Sequence, residues 1–240
     1  MVRHGCVCLA DMWVFPLAAA LVALLFAVLL ARRSVGRPRP HEILWAVALL
    51  MYAGASFALF LGVLNGWTAT EYRVFWLLGA VLNVPYLAVG EVYLLVKDRR
   101  VASVALLVLV FATAFAFNRV RTGTISPAAL AQTLPLGKEV WARDPFVLHL
   151  AQIYAYPTYA FLLLGTLWSA WGMRSDAALR PRFQGTLGIA VGATIVAAGS
   201  AFAATGVLAG FSLTLTVGIA VMFWGFLRAS RHRQVRHPTV

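Results

Sequence analysis

Acidic residues are scarce in this chain. Asp and Glu number 8 in 240 residues, and charged residues of both signs make up only 12%. An ordinary soluble domain carries about twice that share of charge. Hydrophobic residues reach 62%, and the mean hydropathy is +0.83. A chain of this length folded in water could not hide so much apolar surface. Disorder is excluded on the same ground. Cysteine is limited to Cys6 and Cys8, which excludes a disulfide scaffold. With His4 they supply too few ligands for a metal clip. Lysine occurs only at Lys97 and Lys138. Neither falls in the last apolar run, so a retinal Schiff base has no anchor there. Of the five histidines only His149 lies within an apolar run, and no aspartate does, too few for an intramembrane zinc hydrolase. The chain has no Cys-x-x-Cys, Gly-x-Ser-x-Gly, His-Glu-x-x-His or P-loop, so none of the chemistry those motifs carry is indicated. Nothing in the residues calls for a cofactor.

What the sequence does contain is apolar runs of membrane-crossing length. Spanning the hydrocarbon takes about 20 residues of helix. Seven runs qualify: 12–31, 43–64, 74–96, 101–117, 146–170, 185–205 and 211–227. Open strands cannot cross lipid with unpaired backbone, and the alternation of barrel strands is missing. The fold class expected is therefore an all-α membrane protein, a seven-transmembrane-helix bundle. Residues 1–11 form a short external tail, 12–227 the transmembrane domain and 228–240 a basic cytoplasmic tail. The first run is too long for a signal-peptide core, and Arg32-Arg33 follow as a stop-transfer flank. Met12 fits equally as the start of the chain.

The net charge of +12 raises the question of nucleic acid. The basic residues sit in short clusters between apolar runs, as topology signals do. Placing the loops after runs one, three and five with the C-terminus gives that side 14 Lys and Arg against 6. By the positive-inside rule the N-terminus is outside and the C-terminus cytoplasmic. The arginine clusters then meet anionic lipid headgroups, and no nucleic-acid partner is expected.

Runs one and five share a direction, which permits a parallel three-plus-one-plus-three repeat. Arg37-Pro38-Arg39 follows run one, and Arg180-Pro181-Arg182 follows run five. Gly62-Val63-Leu64-Asn65-Gly66-Trp67 is echoed by Gly206-Val207-Leu208-Ala209-Gly210-Phe211. Such matches also arise by chance in apolar sequence, so both readings stand. Between runs four and five, Ser126-Pro127 reads as the start of a short surface helix, with Trp141 as an interfacial anchor. This segment fits a cap over a cavity or a plain loop.

Polar groups within a span are costly and become site candidates by default. In the fifth run His149, Gln152, Tyr156 and Tyr159 follow helical spacing, and so do Gly79, Asn83, Tyr86 and Gly90 in the third. Asn83 and Tyr156 lie at matching depth, each roughly ten residues in from the outer end at 1.5 Å of rise per residue. A ligand-binding polar pocket is expected among Asn83, Tyr86, His149, Gln152, Tyr156 and Tyr159. The competing reading is interhelical hydrogen-bonding glue. Glu91 lies toward the cytoplasmic end of the third run, far from His149. An arginine partner, Arg228 or Arg32, or snorkelling toward the headgroups is expected, with a proton relay as the functional alternative. Gly185, Gly188, Gly192 and Gly199 give the sixth run a small-residue face for close packing, taken here as contact within one chain.

Gly66-Trp67, Tyr72-Arg73-Val74-Phe75-Trp76 and Gly79-Ala80-Val81-Leu82-Asn83-Val84-Pro85-Tyr86-Leu87 resemble a family of uncharacterised bacterial seven-helix integral membrane proteins. His41-Glu42 after the arginine-proline segment fits the same resemblance, which covers roughly the first hundred residues. It implies the topology and no chemistry, because the group has no assigned activity. Where its members have Thr or Ser near the end of the third helix, this chain has Glu91.

The reading that follows is a multi-pass inner (plasma) membrane protein, a non-enzymatic bundle that binds or senses a small molecule. The second is a small-molecule carrier built on the three-helix repeat. The third is an intramembrane enzyme acting on lipid through Glu91 or His149. It is the weakest, because the two groups lie at opposite depths.

Overall fold

The computed structural model describes residues 13–36 and 39–231. The expected external tail, the start at Met12, the Arg37-Pro38 pair and residues 232–240 of the basic tail lie outside the described residues. Within them the fold is helical, with no strand. Seven long helices follow in order: α1 (Val14–Gly36), α2 (Pro40–Asn65), α3 (Ala69–Leu95), α4 (Arg99–Thr122), α5 (Pro145–Met173), α6 (Arg180–Thr205) and α7 (Leu208–Arg231). Each is long and apolar enough to cross a bilayer, which makes the chain a multi-pass membrane protein.

Most helices extend past the apolar runs that signal them, because their starts are set by capping rather than by hydrophobicity. Thr68 and Glu71 form a reciprocal box at the start of α3: the Glu71 amide donates to Thr68 Oγ1 (3.2 Å) and the Thr68 amide to Glu71 Oε2 (2.9 Å). This satisfies two otherwise orphaned donors. Asp98 accepts from the Arg100 amide at the head of α4 (2.8 Å). Pro40, Pro145 and Pro181 stand in first turns, where a missing amide proton does no harm. The turn between α6 and α7 is two residues long, and Gly206 takes a φ of 76° there. A side chain would strain that backbone.

Six helices close a ring in the order α1, α2, α3, α5, α6, α7 and back to α1, and α4 packs outside it against α3 and α5. Two tyrosines hold α4 in place. The Tyr86 hydroxyl lies 3.2 Å from Thr113 Oγ1, and Tyr154 donates to the Ala112 carbonyl (3.1 Å). Much of the rest of α4 is exposed, including Leu107, Val108 and Phe111, as a lipid-facing helix should be.

α3 is not α-helical throughout. Trp76–Leu82 forms a π-helical segment between two α-helical stretches. The wide turn lies just ahead of Pro85, which has no amide proton to offer an α-helical ladder.

The connections 66–68, 123–144 and 206–207 gather at one end of the bundle. Trp67 Nε1 donates to the Thr133 carbonyl (3.0 Å), and Gly206 lies against Leu136. The segment 123–144, with a 3-10 turn at Pro127–Ala131 and a helical turn at Gly137–Val140, folds over this end as a cap. Trp141 is therefore no interfacial anchor. It is fully buried, with ring centroids 6.2 Å from Tyr72 and 6.1 Å from Trp76. Tryptophan has the amphipathic shape for either place, and here the packing of the cap decides. Among the described residues the Tyr72 hydroxyl and the Trp76 and Trp141 indole nitrogens find no hydrogen-bond partner, so these three rings hold the cap by packing alone.

Candidate functional site

A cavity of about 70 Å³ lies inside the ring where five helices meet. Leu49 and Tyr52 of α2, Asn83, Val84 and Leu87 of α3, Tyr159 and Leu162 of α5, Ala193, Val196 and Ala197 of α6, and Ile219 and Met222 of α7 line it. The volume is several times the ~10–15 Å³ that one water requires, and well below the ~300 Å³ of a drug-sized pocket. Its wall is apolar apart from three side chains.

Asn83 is the more buried of the two candidate polar groups, one on α3 and one on α5, that reach this cavity. Its exposure is 7%. Nδ2 donates to the Ala48 carbonyl at 2.7 Å, a carbonyl that also belongs to the α2 ladder. The amide oxygen accepts no hydrogen bond among the described residues. Tyr52, 7% exposed, donates its hydroxyl proton to the Leu215 carbonyl (2.9 Å). Tyr159 donates to Thr194 Oγ1 (3.1 Å), and Thr194 in turn to the Ala190 carbonyl (2.9 Å). Both phenol protons are thus committed, and the free acceptors are the Asn83 amide oxygen and the phenol oxygens.

Of the six pocket candidates from the sequence, the fold brings Asn83 and Tyr159 to one cavity. Tyr86 turns instead to Thr113 on α4. It is three residues beyond Asn83, an angular step of about 60° from the Asn83 face in an α-helix of 3.6 residues per turn. Gly79 and Gly90 do share the α2-facing side: a side-chain carbon at Gly79 would lie 3.1 Å from Ala55, and Gly90 makes room for the Trp45 ring. Trp45 Nε1 donates to the Leu87 carbonyl (3.1 Å). His149, Gln152 and Tyr156 lie on the exposed face of α5, with Tyr156 67% exposed. His149 Nδ1 is 2.7 Å from the Pro145 carbonyl of its own helix. Regular spacing groups the four α5 residues, but spacing alone does not say where such a group points: three are exposed and Tyr159 lines the cavity. The face that packs inward is the one carrying Leu150, Leu162 and Thr166, and Tyr159 stands at its edge. Pro157 frees a carbonyl in α5, and next to it the Thr158 hydroxyl donates back to the Tyr154 and Ala155 carbonyls.

Glu91 sits between α3 and α5 at 4% exposure. Thr166 Oγ1 lies 3.2 Å from each carboxylate oxygen and 2.7 Å from the Leu162 carbonyl. Its single proton serves one of these at a time. Gly165 leaves the space, since a side-chain carbon there would lie 3.0 Å from Glu91 Oε1. The arginine partner expected from the sequence is not found: Glu91 has no ion pair among the described residues. Arg228 instead donates to Gln184 Oε1 (2.9 Å). Glu91 is enclosed against α5, where Gly165 and Thr166 face its carboxyl group. Among the described residues no three of His, Cys, Asp and Glu are grouped as metal ligands would be.

Searches against protein-family models, curated proteins and solved structures find no match for this chain. Its function must be argued from the geometry.

Sequence reasoning missed Tyr52, Trp45, Thr166 and Thr194. Tyr52 and Trp45 were absorbed into an apolar run, although each carries a polar atom that must be satisfied in lipid. Thr166 had a readable signal: it follows Tyr159 and Leu162 at helical spacing.

Proposed function

We propose that this protein is a non-enzymatic membrane bundle that binds a small neutral molecule in the cavity between α2, α3, α5, α6 and α7. One observation carries the reading: Asn83, 7% exposed, lines an apolar cavity, and its amide oxygen accepts no hydrogen bond among the described residues. Buried polar atoms are ordinarily paired. A ligand with an apolar body and one hydrogen-bond donor meets that need, and the small volume limits it to a few heavy atoms. On the positive-inside rule the basic end, with Arg99, Arg100, Arg174 and Arg228, is taken to face the cytoplasm, and the membrane to be the plasma membrane.

Carriage of the ligand is the second reading, favoured by the neighbour pattern. α1 touches α2 and α7, as α5 touches α6 and α3, while α4 stands apart. This is the pattern expected of two parallel three-helix units related by a twofold axis along the membrane normal, with the cavity between them. An enzyme acting through Glu91 and His149 is disfavoured. Glu91 touches Gly165 and Thr166, and His149 is about 24 Å further along the same helix at 1.5 Å per residue.

The test is a thermal-shift screen of the purified protein against small neutral alcohols, amides and metabolites. A stabilising compound whose shift disappears in Ala193→Phe, which fills the cavity, and weakens in Asn83→Leu supports the reading. Hits that ignore both substitutions overturn it. Reconstituted vesicles then separate binding from carriage: uptake of the hit that is lost in Glu91→Gln, with binding retained, favours the carrier.

A further inference from the structure

The glycine face of α6 does more than admit α7. Close approach of the two helices leaves a groove of about 460 Å³ on the outer surface of the bundle, lined by Gln184, Leu187, Val191, Val221, Trp224 and Arg228 over Gly188. Gly188 is its floor, and a side-chain carbon there would lie 3.1 Å from Gly225 Cα. The walls are apolar and open to the outside, with Val191 49% and Trp224 53% exposed. The groove is polar at one end only. There Arg228 donates through Nε to Gln184 Oε1 (2.9 Å), and its guanidinium carbon stands 6.0 Å from the Trp224 ring. The remaining guanidinium N–H groups form no hydrogen bond among the described residues. This polar end is the arginine-rich end of the bundle, where the exposed Arg180 and Arg182 also begin α6. From Gln184 to Val191 the groove descends about 10 Å into the hydrocarbon at 1.5 Å per residue.

We infer that this groove is a binding site for a single anionic phospholipid, with an acyl chain over Gly188 and its phosphate on Arg228. A guanidinium held on one side by Gln184 presents its other edge as a planar fork, which suits phosphate oxygens. The fixed Nε contact means that the fork is already oriented before lipid arrives. An apolar slot beneath a single cation, at the depth where headgroup gives way to acyl chain, matches a phospholipid in charge and seats the upper part of one acyl chain. The site lies on the outside of the ring, so it stands apart from the central cavity and does not depend on it.

Native mass spectrometry of the full chain, released from detergent with phosphatidylglycerol or phosphatidylcholine added, tests this. The expected result is a retained single adduct with preference for phosphatidylglycerol. Arg228→Gln lowers that preference about fivefold, the equivalent of the ~1 kcal/mol that one surface arginine contributes toward anionic lipid. Val191→Trp fills the slot and removes the adduct of both lipids, while Arg174→Gln, away from the groove, changes neither. Adducts indifferent to Arg228→Gln and Val191→Trp overturn the inference. So does a dimer peak that Val191→Trp abolishes, since the groove would then seat a second copy of the chain. If a variant fails to fold, photocrosslinking of a diazirine acyl phosphatidylglycerol to the unaltered protein keeps the question open to refutation. Labelled peptides from 184–191 and 221–228 support the site, and labelling confined to other helices overturns it.

Discussion

Two seams in this bundle hold helices together by opposite means. Between α6 and α7 the contact is backbone on backbone. Gly185, Gly188 and Gly192 face Gly225 and Gly218, and a side-chain carbon at Gly192 would lie 2.6 Å from the Gly218 carbonyl oxygen. The one side-chain hydrogen bond that the two helices exchange in the described residues, from Arg228 to Gln184, is at the very end. Between α2 and α3 the residues are larger, and polar side chains cross the gap to main-chain oxygens: Asn83 to Ala48 and Trp45 to Leu87. In lipid, helices gain nothing from burying apolar surface against each other, so shape and hydrogen bonds must do the holding. The first seam relies on shape and leaves no room. The second relies on polar bonds and leaves a cavity at its side. The candidate site lies between the two seams and takes its lining from both, but its buried amide, Asn83, belongs to the polar one.

The sharpest way to break this contrast is Gly192→Leu. It forces four side-chain atoms into a space closed by Gly218 and Met222, and the expected loss of stability is about 3 kcal/mol, the upper range for overpacking. Reversible denaturant unfolding in mixed micelles measures it. Asn83→Leu strikes the other seam. It removes one interhelical bond, and the expected loss is about 1 kcal/mol. If it matched Gly192→Leu, the polar seam would be the stronger one and the comparison would fail. Trp45→Phe keeps the ring beside Gly90 but deletes the bond to Leu87, and the expected loss is about 0.6 kcal/mol, the average for such contacts in a membrane. The Asn83 and Trp45 substitutions lie on different turns and share no partner. Their effects should add in the double variant and still fall short of Gly192→Leu.

Much of this fold is legible before folding is considered. The hydrocarbon imposes a length on every crossing, so runs such as 12–31 and 101–117 announce themselves. The glycine spacing at Gly188 and Gly192 marks a close contact because little else explains small residues at that interval. Loop 123–144 was harder to read. Trp141 suits a lipid interface and a packed cap equally, and only the neighbouring Tyr72 and Trp76 rings decide. The candidate site was partly legible. Asn83 stood out as an amide in an apolar run, and Tyr159 by its spacing. Tyr52 did not, because one hydroxyl in a long apolar stretch alters no pattern. The direction in which a polar face points depends on all the other helices, which is why His149, Gln152 and Tyr156 end on the outside. Glu91 was legible as unusual, but its partner Thr166 lies 75 positions away and is chosen by packing.

The widened turn at Trp76–Leu82 also has a bearing on how α3 tolerates changes of length. A π-helical turn holds one residue more than an ordinary turn over a similar rise. Deleting Ala80 should therefore let the segment relax into regular helix, with Tyr72 still beneath the cap and Asn83 still facing Ala48. Deleting Ala53 from α2 has no such slack to draw on. Everything beyond it would swing by about 100°, one residue's angular step, and Ser56 and Leu59 would leave the core for lipid. Along this chain, α3 is the helix in which evolution can add or subtract a letter without rewriting the rest of the line.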